Sequence, residues 1–221
     1  LGKAIWFDDK TGVMTSSLYY YKALPQWLVR FNKTHGLNQI KSYTWNTFHD
    51  KKSEFYCFDN IDNHSHLNSP LDLVGHTLFI DKQAQQPYET IIETPLANKF
   101  ILDCSKACIL ENVPKCYNDK LLMWICLSPL DKIGHLYGPT GIETIDLLYH
   151  LDDQLKHFIR FVNKQIKRSD ILFVLTADHG MSPIPERIQK TGYPAHRIQD
   201  KELTSIIQDN LKKELGLAVK V

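Results

Sequence analysis

Two apolar runs decide how this chain folds: Lys120-Leu-Leu-Met-Trp-Ile-Cys-Leu127 and Ile171-Leu-Phe-Val-Leu-Thr-Ala177. Each is of strand length and continuously apolar, the pattern of a strand covered on both faces. Between them, Glu143 to Arg168 reads as a long amphipathic helix. Its apolar residues Leu148, Leu151, Leu155, Phe158, Ile159, Val162 and Ile166 fall mostly three or four apart along one stripe. Strand, helix, strand at these lengths is a βαβ unit, with parallel strands and a right-handed crossover. The reading is an α/β fold with a doubly wound, mostly parallel sheet and helices on both faces.

Working outward, Leu18 to Asn32 reads as a helix whose internal Pro25 moves its true start to near Leu24. Residues 33–95 hold aromatics, Asn, His, Asp and Pro without a sustained period, which predicts a loop-rich excursion or lid with at most short strands. Thr94-Pro95 then opens a buried helix over Leu96 to Asn112, and Asp200 to Leu215 reads as a final helix. The chain opens on Leu1, not Met, and closes on Leu217-Ala-Val-Lys-Val221, a strand-like end. Such ends fit either a processed, trimmed chain or a fragment whose neighbours are missing; on the second reading residues 1–221 are one partial domain, an internal piece whose sheet is incomplete at both ends.

The 221 residues are 43% hydrophobic and 23% charged, with a net charge of +1. That length buries a sizeable core without staples. The near-zero charge offers no global attraction to nucleic acid, and no apolar run approaches the ~20 residues of a membrane span. Cys57, Cys104, Cys108, Cys116 and Cys126 are odd in number and lack C-x-x-C spacing. They are expected to be free thiols packed as small apolar groups, and they leave the redox compartment open.

Chemistry-bearing residues follow each apolar run. Asp131 and His135 come after the first, in Ser128-Pro-Leu-Asp-Lys-Ile-Gly-His-Leu-Tyr-Gly-Pro139; Asp178 and His179 come after the second, in Asp178-His-Gly-Met181. Parallel strands deliver both loops to one sheet edge, where open α/β folds bind ligands. Asp and neutral His are ligands for zinc and similar divalent ions. Spacing four apart lets Asp131 and His135 converge in a helical turn or a loop that Gly134 and Gly138 allow to tighten. Adjacent Asp178 and His179 share a site only where the chain turns, and Gly180 is expected to supply that turn. Four such residues make a partly assembled two-metal site.

At these residues the sequence resembles the alkaline phosphatase superfamily. Thr176-Ala-Asp-His-Gly180 and Asp131-x-x-x-His135 with Gly138-Pro139 look like two of its metal motifs. The likeness is nearest to bacterial zinc alkaline phosphatases with a Thr nucleophile, a branch close to the type I phosphodiesterases and nucleotide pyrophosphatases. Gly2 to Asp8, Gly12, Thr15-Ser-Ser17, Tyr19-Tyr20, Glu143-x-x-Asp146 and Leu151-Asp152 extend it intermittently to about residue 200. The resemblance implies that Asp131 and His135 serve one zinc ion and Asp178 and His179 a second. It implies in-line phosphoryl transfer on a small-molecule phosphate ester by a phosphomonoesterase. A phosphodiesterase or nucleotide pyrophosphatase is the alternative, and a catalytically dead α/β binding domain is the alternative of another class. It also implies a periplasmic or secreted setting and leaves the oligomeric state open.

The departures are as informative. The resemblance places the Thr nucleophile and one zinc-ligand Asp upstream of Leu1 and the last His ligand in a C-terminal segment, so no catalytic nucleophile is assigned within the chain. This fragment alone is expected to be inactive. Thr15, Ser16, Ser17, His196 and the His64-x-His66 pair read as structural or solvated rather than as substitutes. Asp146, Asp152 and Asp153 read as the polar side of the long helix. Trp6, Tyr19 to Tyr21, Trp27 and Trp45 read as packing, and Glu186 and Arg187 as surface residues.

Overall fold

The computed structural model describes residues 2–50, 52–56, 73–113, 120–198 and 200–216. They fall into two compact units, Leu1–Ser182 and Pro183–Val221.

The first unit opens on a hairpin of β1 (Trp6–Asp8) and β2 (Val13–Thr15), antiparallel with Trp6 opposite Thr15. Gly12 turns it with a φ of 71°, and a Cβ there would meet the Tyr88 ring at 2.8 Å and the Asn38 nitrogen at 2.9 Å. Helix α1 is Gln26–His35 with Pro25 at its N-cap, so the helix begins two residues after the expected Leu24. A second hairpin pairs β3 (Ser42–Thr44) with β4 (Thr77–Phe79). Helix α2 spans Pro95–Asn112. Thr94 is extended and Pro95 occupies the first turn, because a residue before proline is driven from helical dihedrals and proline's missing N–H costs nothing there.

Helices α3 (Pro129–Tyr137) and α4 (Ile142–Gln165) follow. Three apolar clusters hold the unit together. Trp27, Leu28 and Phe31 of α1 pack with Phe100 and Cys104 of α2. Ile133 and Tyr137 of α3 pack with Leu147 of α4 and with Trp45. Leu102 and Ile109 of α2 pack with Phe158 and Val162 of α4. Each fully buried Leu, Ile or Phe contributes about 1.5–3 kcal/mol.

Helix α4 therefore faces two partners in turn, and its buried stripe differs from the expected one. Leu147 is buried, whereas Leu148 and Ile159 are exposed. A further correction concerns Asp146: expected on the polar side of this helix, it is fully buried.

The two decisive runs also differ from expectation. Residues 120–127 and 171–177 belong to no strand, and the only sheets among the described residues are the two short antiparallel hairpins. The first run nevertheless shows strand-like alternation. Met123, Ile125 and Leu127 pack inward on the α2–α4 cluster, joined by Ile171 of the second run. Leu122 and Trp124 point outward, 88% and 78% exposed. A strand needs a partner for its backbone N–H and C=O groups, and no described residue supplies one. An open, mostly apolar cavity of about 630 Å³ borders this run, lined by Trp6, Phe100, Cys104, Cys108, Met123 and Ile125 among others.

The second unit contains α5 (Pro185–Lys190) and α6 (Asp200–Leu215). Arg197 grips Glu186 through two nitrogen–oxygen contacts of 3.0 and 3.2 Å, a bidentate pair inside this unit. The apolar side of α6, with Leu203, Ile206 and Ile207, is exposed. No helix among the described residues is long and apolar enough to cross a membrane. Cys104, Cys108 and Cys126 are free thiols, and burial pushes the Cys104 thiol up to about 12. Cys57, Cys116, His64, His66 and the strand-like end Leu217–Val221 lie outside the described residues.

Candidate metal centre

Helix α3 carries the first pair of candidate ligands. Pro129 starts the helix and Asp131 lies in its first turn, where a carboxylate favours the helix's positive end. His135 follows one turn later, so both side chains share a face, with His135 Nε2 3.4 Å from Asp131 Oδ1. Ile133, fully buried between them in sequence, points the opposite way into the Trp45 cluster. The helix ends at Gly138, whose φ of 69° suits glycine. Thr144 at the start of α4 donates its hydroxyl to the Gly138 carbonyl at 2.7 Å, fixing the turn between the helices.

The second pair lies outside any helix or strand. Asp178 sits at a bend, and its Oδ1 accepts the His179 backbone N–H at 3.1 Å. The turn expected from Gly180 is absent: Gly180 has no left-handed φ, and a Cβ there would meet nothing within 4 Å. Gly134 also does something other than tighten a loop. It lies inside α3, and a Cβ on it would stand 2.6 Å from the sulfur of Met181. The bare glycine lets Met181 seat on the helix and thereby brings Asp178-His179 beside the first pair.

The result is a convergence on one oxygen. His179 Nε2 lies 3.5 Å from Asp131 Oδ1, the atom that also faces His135, and 3.8 Å from Asp178 Oδ2. His179 Nδ1 is 2.9 Å from the Gly180 carbonyl. A donor is required there, so the Nδ1–H tautomer leaves Nε2 to face the carboxylates. The Gly180 bond, then Asp178 and Asp131, raise the His179 pKa. A neutral Nε2 lone pair facing carboxylate oxygen is stable only with a proton or a cation between them. A backbone carbonyl holding the far nitrogen is also how metal-ligating histidines are oriented.

The donor set, two carboxylates and two imidazoles, suits a divalent ion. The side chains meet around Asp131 Oδ1 and not around a shared vacant point. Accordingly, no group of three or more His, Cys, Asp or Glu among the described residues is arranged to hold a metal. The cluster is open: Asp178 is 89% exposed. The expected division into one pair per metal is also blurred, since His179 approaches Asp131 of the other pair.

The remaining candidates are occupied elsewhere. The Ser16 hydroxyl donates to the Ala4 carbonyl at 2.6 Å. Within the second unit, His196 Nδ1 lies 3.4 Å from Gln189 Nε2. Trp6 is exposed, whereas Trp27 and Trp45 are buried as packing residues. Asp153 lies on the helix surface beside His157, 3.2 Å away.

The residue that sequence reasoning missed is Asp146. Its Oδ1 accepts the Phe48 N–H at 2.7 Å and the Tyr56 hydroxyl; its Oδ2 accepts the Trp45 indole N–H at 2.5 Å and faces His150 Nε2 at 3.3 Å. Burial pushes this carboxyl up, but the bonds from His150, Tyr56, Phe48 and Trp45 outweigh it and hold it below the usual range. One signal was readable: Asp146 and His150 are four apart beside the apolar Leu147.

Comparison with known proteins fits this geometry into a family. The family model described as type I phosphodiesterase / nucleotide pyrophosphatase matches residues 6–219. The alkaline phosphatase PhoV of Synechococcus elongatus is 30% identical over 183 residues, covering 82% of this chain and 33% of PhoV. The alkaline phosphatase PafA of Elizabethkingia meningoseptica is 28% identical over 222 residues, covering 98% of this chain and 38% of PafA. A crystal structure of wild-type PafA superposes with a TM-score of 0.72 at 28% identity, over 96% of this chain and 41% of that one. The chain thus spans about two-fifths or less of the length of these relatives. The superposition establishes an alkaline-phosphatase-like α/β fold. Matched along most of its length, the chain belongs to the type I phosphodiesterase/nucleotide pyrophosphatase family, within the alkaline phosphatase superfamily.

Proposed function

We propose that these 221 residues are the metal-loop portion of a longer zinc-dependent phosphate-ester hydrolase, acting as a phosphomonoesterase on small molecules. The observation that carries this reading is the meeting of His179 with Asp131, 3.5 Å apart, from positions 48 residues apart in sequence. Asp131 and His135 hold one zinc ion and Asp178 and His179 a second. Zinc bound there would neutralise charge on the phosphate oxygens and lower the pKa of the attacking group. The chain's own contribution is orientation. Helix α3 presents Asp131 and His135 on one face, and the Nδ1–H bond to Gly180 aims His179 Nε2 at them. The Thr nucleophile and the remaining ligands belong to the rest of the longer protein, so these residues alone are inactive. Residues 1–221 form part of one domain with 33–95 as a loop-rich excursion or lid, in a secreted or periplasmic enzyme.

The test uses the full-length protein. Asp178→Ala and His179→Ala are expected to lose bound zinc and to slow nitrophenyl phosphate hydrolysis by about 100-fold or more, beyond the ~10–100-fold of residues behind the ligands. Wild-type rates and zinc content in both variants would overturn the reading. Because the matching family model is named for diesterases, a diesterase is the second reading. Faster turnover of bis(nitrophenyl) phosphate than of the monoester would favour it. A zinc-loaded protein that cleaves neither ester would be a binding domain.

A further inference from the structure

The Asp146 carboxylate is fully buried, and removing such a charge from water costs several kcal/mol unless it is paired and hydrogen-bonded. Here both oxygens are committed. Three donors come from the 45–56 segment, 90 or more residues away in sequence: the Trp45 indole, the Phe48 backbone and the Tyr56 hydroxyl. The fourth partner, His150, sits one turn along α4, and its Nε2 also lies 3.0 Å from the Asn46 carbonyl. The Tyr56 oxygen in turn accepts the His49 N–H at 3.1 Å. The other titratable groups facing this network are Tyr43, pushed up to about 12 by burial and by Asp146; Tyr149 and the His49 ring, both against Tyr56; and Asp153, which acts on His150. One carboxylate thus ties an otherwise irregular segment to the start of α4.

The consequence reaches the metal centre through Trp45. Its ring is fully buried and packs in one cluster with Ile133 and Tyr137 of α3 and Leu147 of α4. Ile133 lies midway between Asp131 and His135 and points away from them, so whatever holds Ile133 sets the rotation of α3 about its axis. A helix turns 100° per residue; a small rotation therefore moves both ligands together. The Thr144 bond to Gly138 holds the far end of the same helix.

We infer that Asp146 is a positioning residue for the metal centre: through Trp45 and Ile133 it sets the orientation of α3 and hence of Asp131 and His135. This rests on the metal reading proposed above. The alternative is a purely structural network that steadies the fold without touching ligand geometry.

The full-length protein separates the two. Asp146→Asn keeps the side chain's size and loses its charge; Trp45→Phe keeps ring packing and loses one donor. Both are expected to weaken zinc binding, measured by chelator competition, by about 10–100-fold, the range for groups that orient ligands. Trp45→Phe lies at the lower end and serves alone if Asp146→Asn does not fold. Phe158→Leu, in the separate α2–α4 cluster, provides a control that lowers Tm without altering zinc affinity. Zinc affinity in Trp45→Phe and Asp146→Asn no weaker than in Phe158→Leu at matched loss of Tm would overturn the inference. Asp131→Ala distinguishes the two levels. If it too leaves zinc affinity unchanged, the metal reading itself fails; if it abolishes binding while the network variants do not, only the positioning role fails.

Discussion

The two ligand pairs are built in opposite ways. Asp131 and His135 stand on a helix whose back is buried and whose C-terminal end is held. Asp178 and His179 stand at a bend outside any helix or strand, with Asp178 89% exposed and Met181 as the packed anchor. The first pair has its spacing from helical geometry, so anything that keeps α3 folded keeps the pair. The second pair has its place only from a tertiary contact, so it can be lost while the fold survives. Stability and site assembly are thus separable in this molecule, and each prediction below acts on one side of that division.

The largest effect is expected under the first pair. Ile133 is fully buried, and Ile133→Ala should cost about 2–5 kcal/mol through lost transfer energy and a cavity. Denaturant unfolding would read this as a lower midpoint, with zinc affinity falling in parallel. Loss of stability with unchanged zinc affinity would break the link between the core of α3 and its ligands.

The next test detaches the second pair. Gly134→Val places a branched side chain where a Cβ already meets Met181 sulfur at 2.6 Å. It should push the 178–181 segment off α3. Zinc affinity is expected to fall at least about tenfold, or about 1.4 kcal/mol. Tm should move little, because Met181 is a flexible side chain at the surface of the unit. A large drop in Tm without loss of zinc would reverse the contrast drawn here.

A smaller effect comes from pH. His150→Gln removes the charged partner of Asp146. Burial lowers the His150 pKa, but Asp146, the Asn46 carbonyl and Asp153 outweigh it and raise it above 6.5. Its contribution is therefore complete below 6.5 and is lost as pH rises through the higher folded value. The Asp146 pKa lies below 3.8, so its contribution is complete above 3.8 and is lost as pH falls through the lower folded value. The wild type should exceed His150→Gln by about 1 kcal/mol between those limits, with the gap closing on either side. A gap independent of pH from 3 to 9 would rule out the ion pair as its source. The smallest effect belongs to Gly180→Ala, expected within about 0.5 kcal/mol of wild type in stability and unchanged in zinc binding, since the site neither turns on this residue nor crowds it.

Helices α1, α2, α4 and α6 were legible because their signals are local, whereas Pro129–Tyr137 was expected as a loop or a single helical turn and Pro185–Lys190 was not foreseen. Pro95 after Thr94, the spacing of Phe158 and Val162, and the span Asp200–Leu215 each depend on neighbours within a few residues. The two apolar runs were expected to be strands covered on both faces, but the first faces inward on one side only and Leu172 to Leu175 of the second are exposed, because composition reports the burial a segment favours and not whether a partner stands beside it. Gly134 read as a loop glycine for a related reason. Nothing near it in sequence announces Met181, which approaches from 47 residues away. Asp146 read as solvated because acidic residues near a helix start usually are. Its four partners are contributed by a segment about a hundred residues earlier and by one turn of its own helix.

What the sequence by itself determined is the chemistry available at the site: two carboxylates and two imidazoles, one pair spaced to converge in either a helical turn or a tightened loop. Only the tertiary structure decided that the second pair meets the first, that a bare glycine and a methionine make the meeting possible, and that a buried aspartate stands behind it. The physical reason is range. Helical periodicity and capping act over three or four residues and are written in order along the chain. Close packing and the desolvation of a charge depend on which surfaces come together, and no short stretch of sequence contains that information.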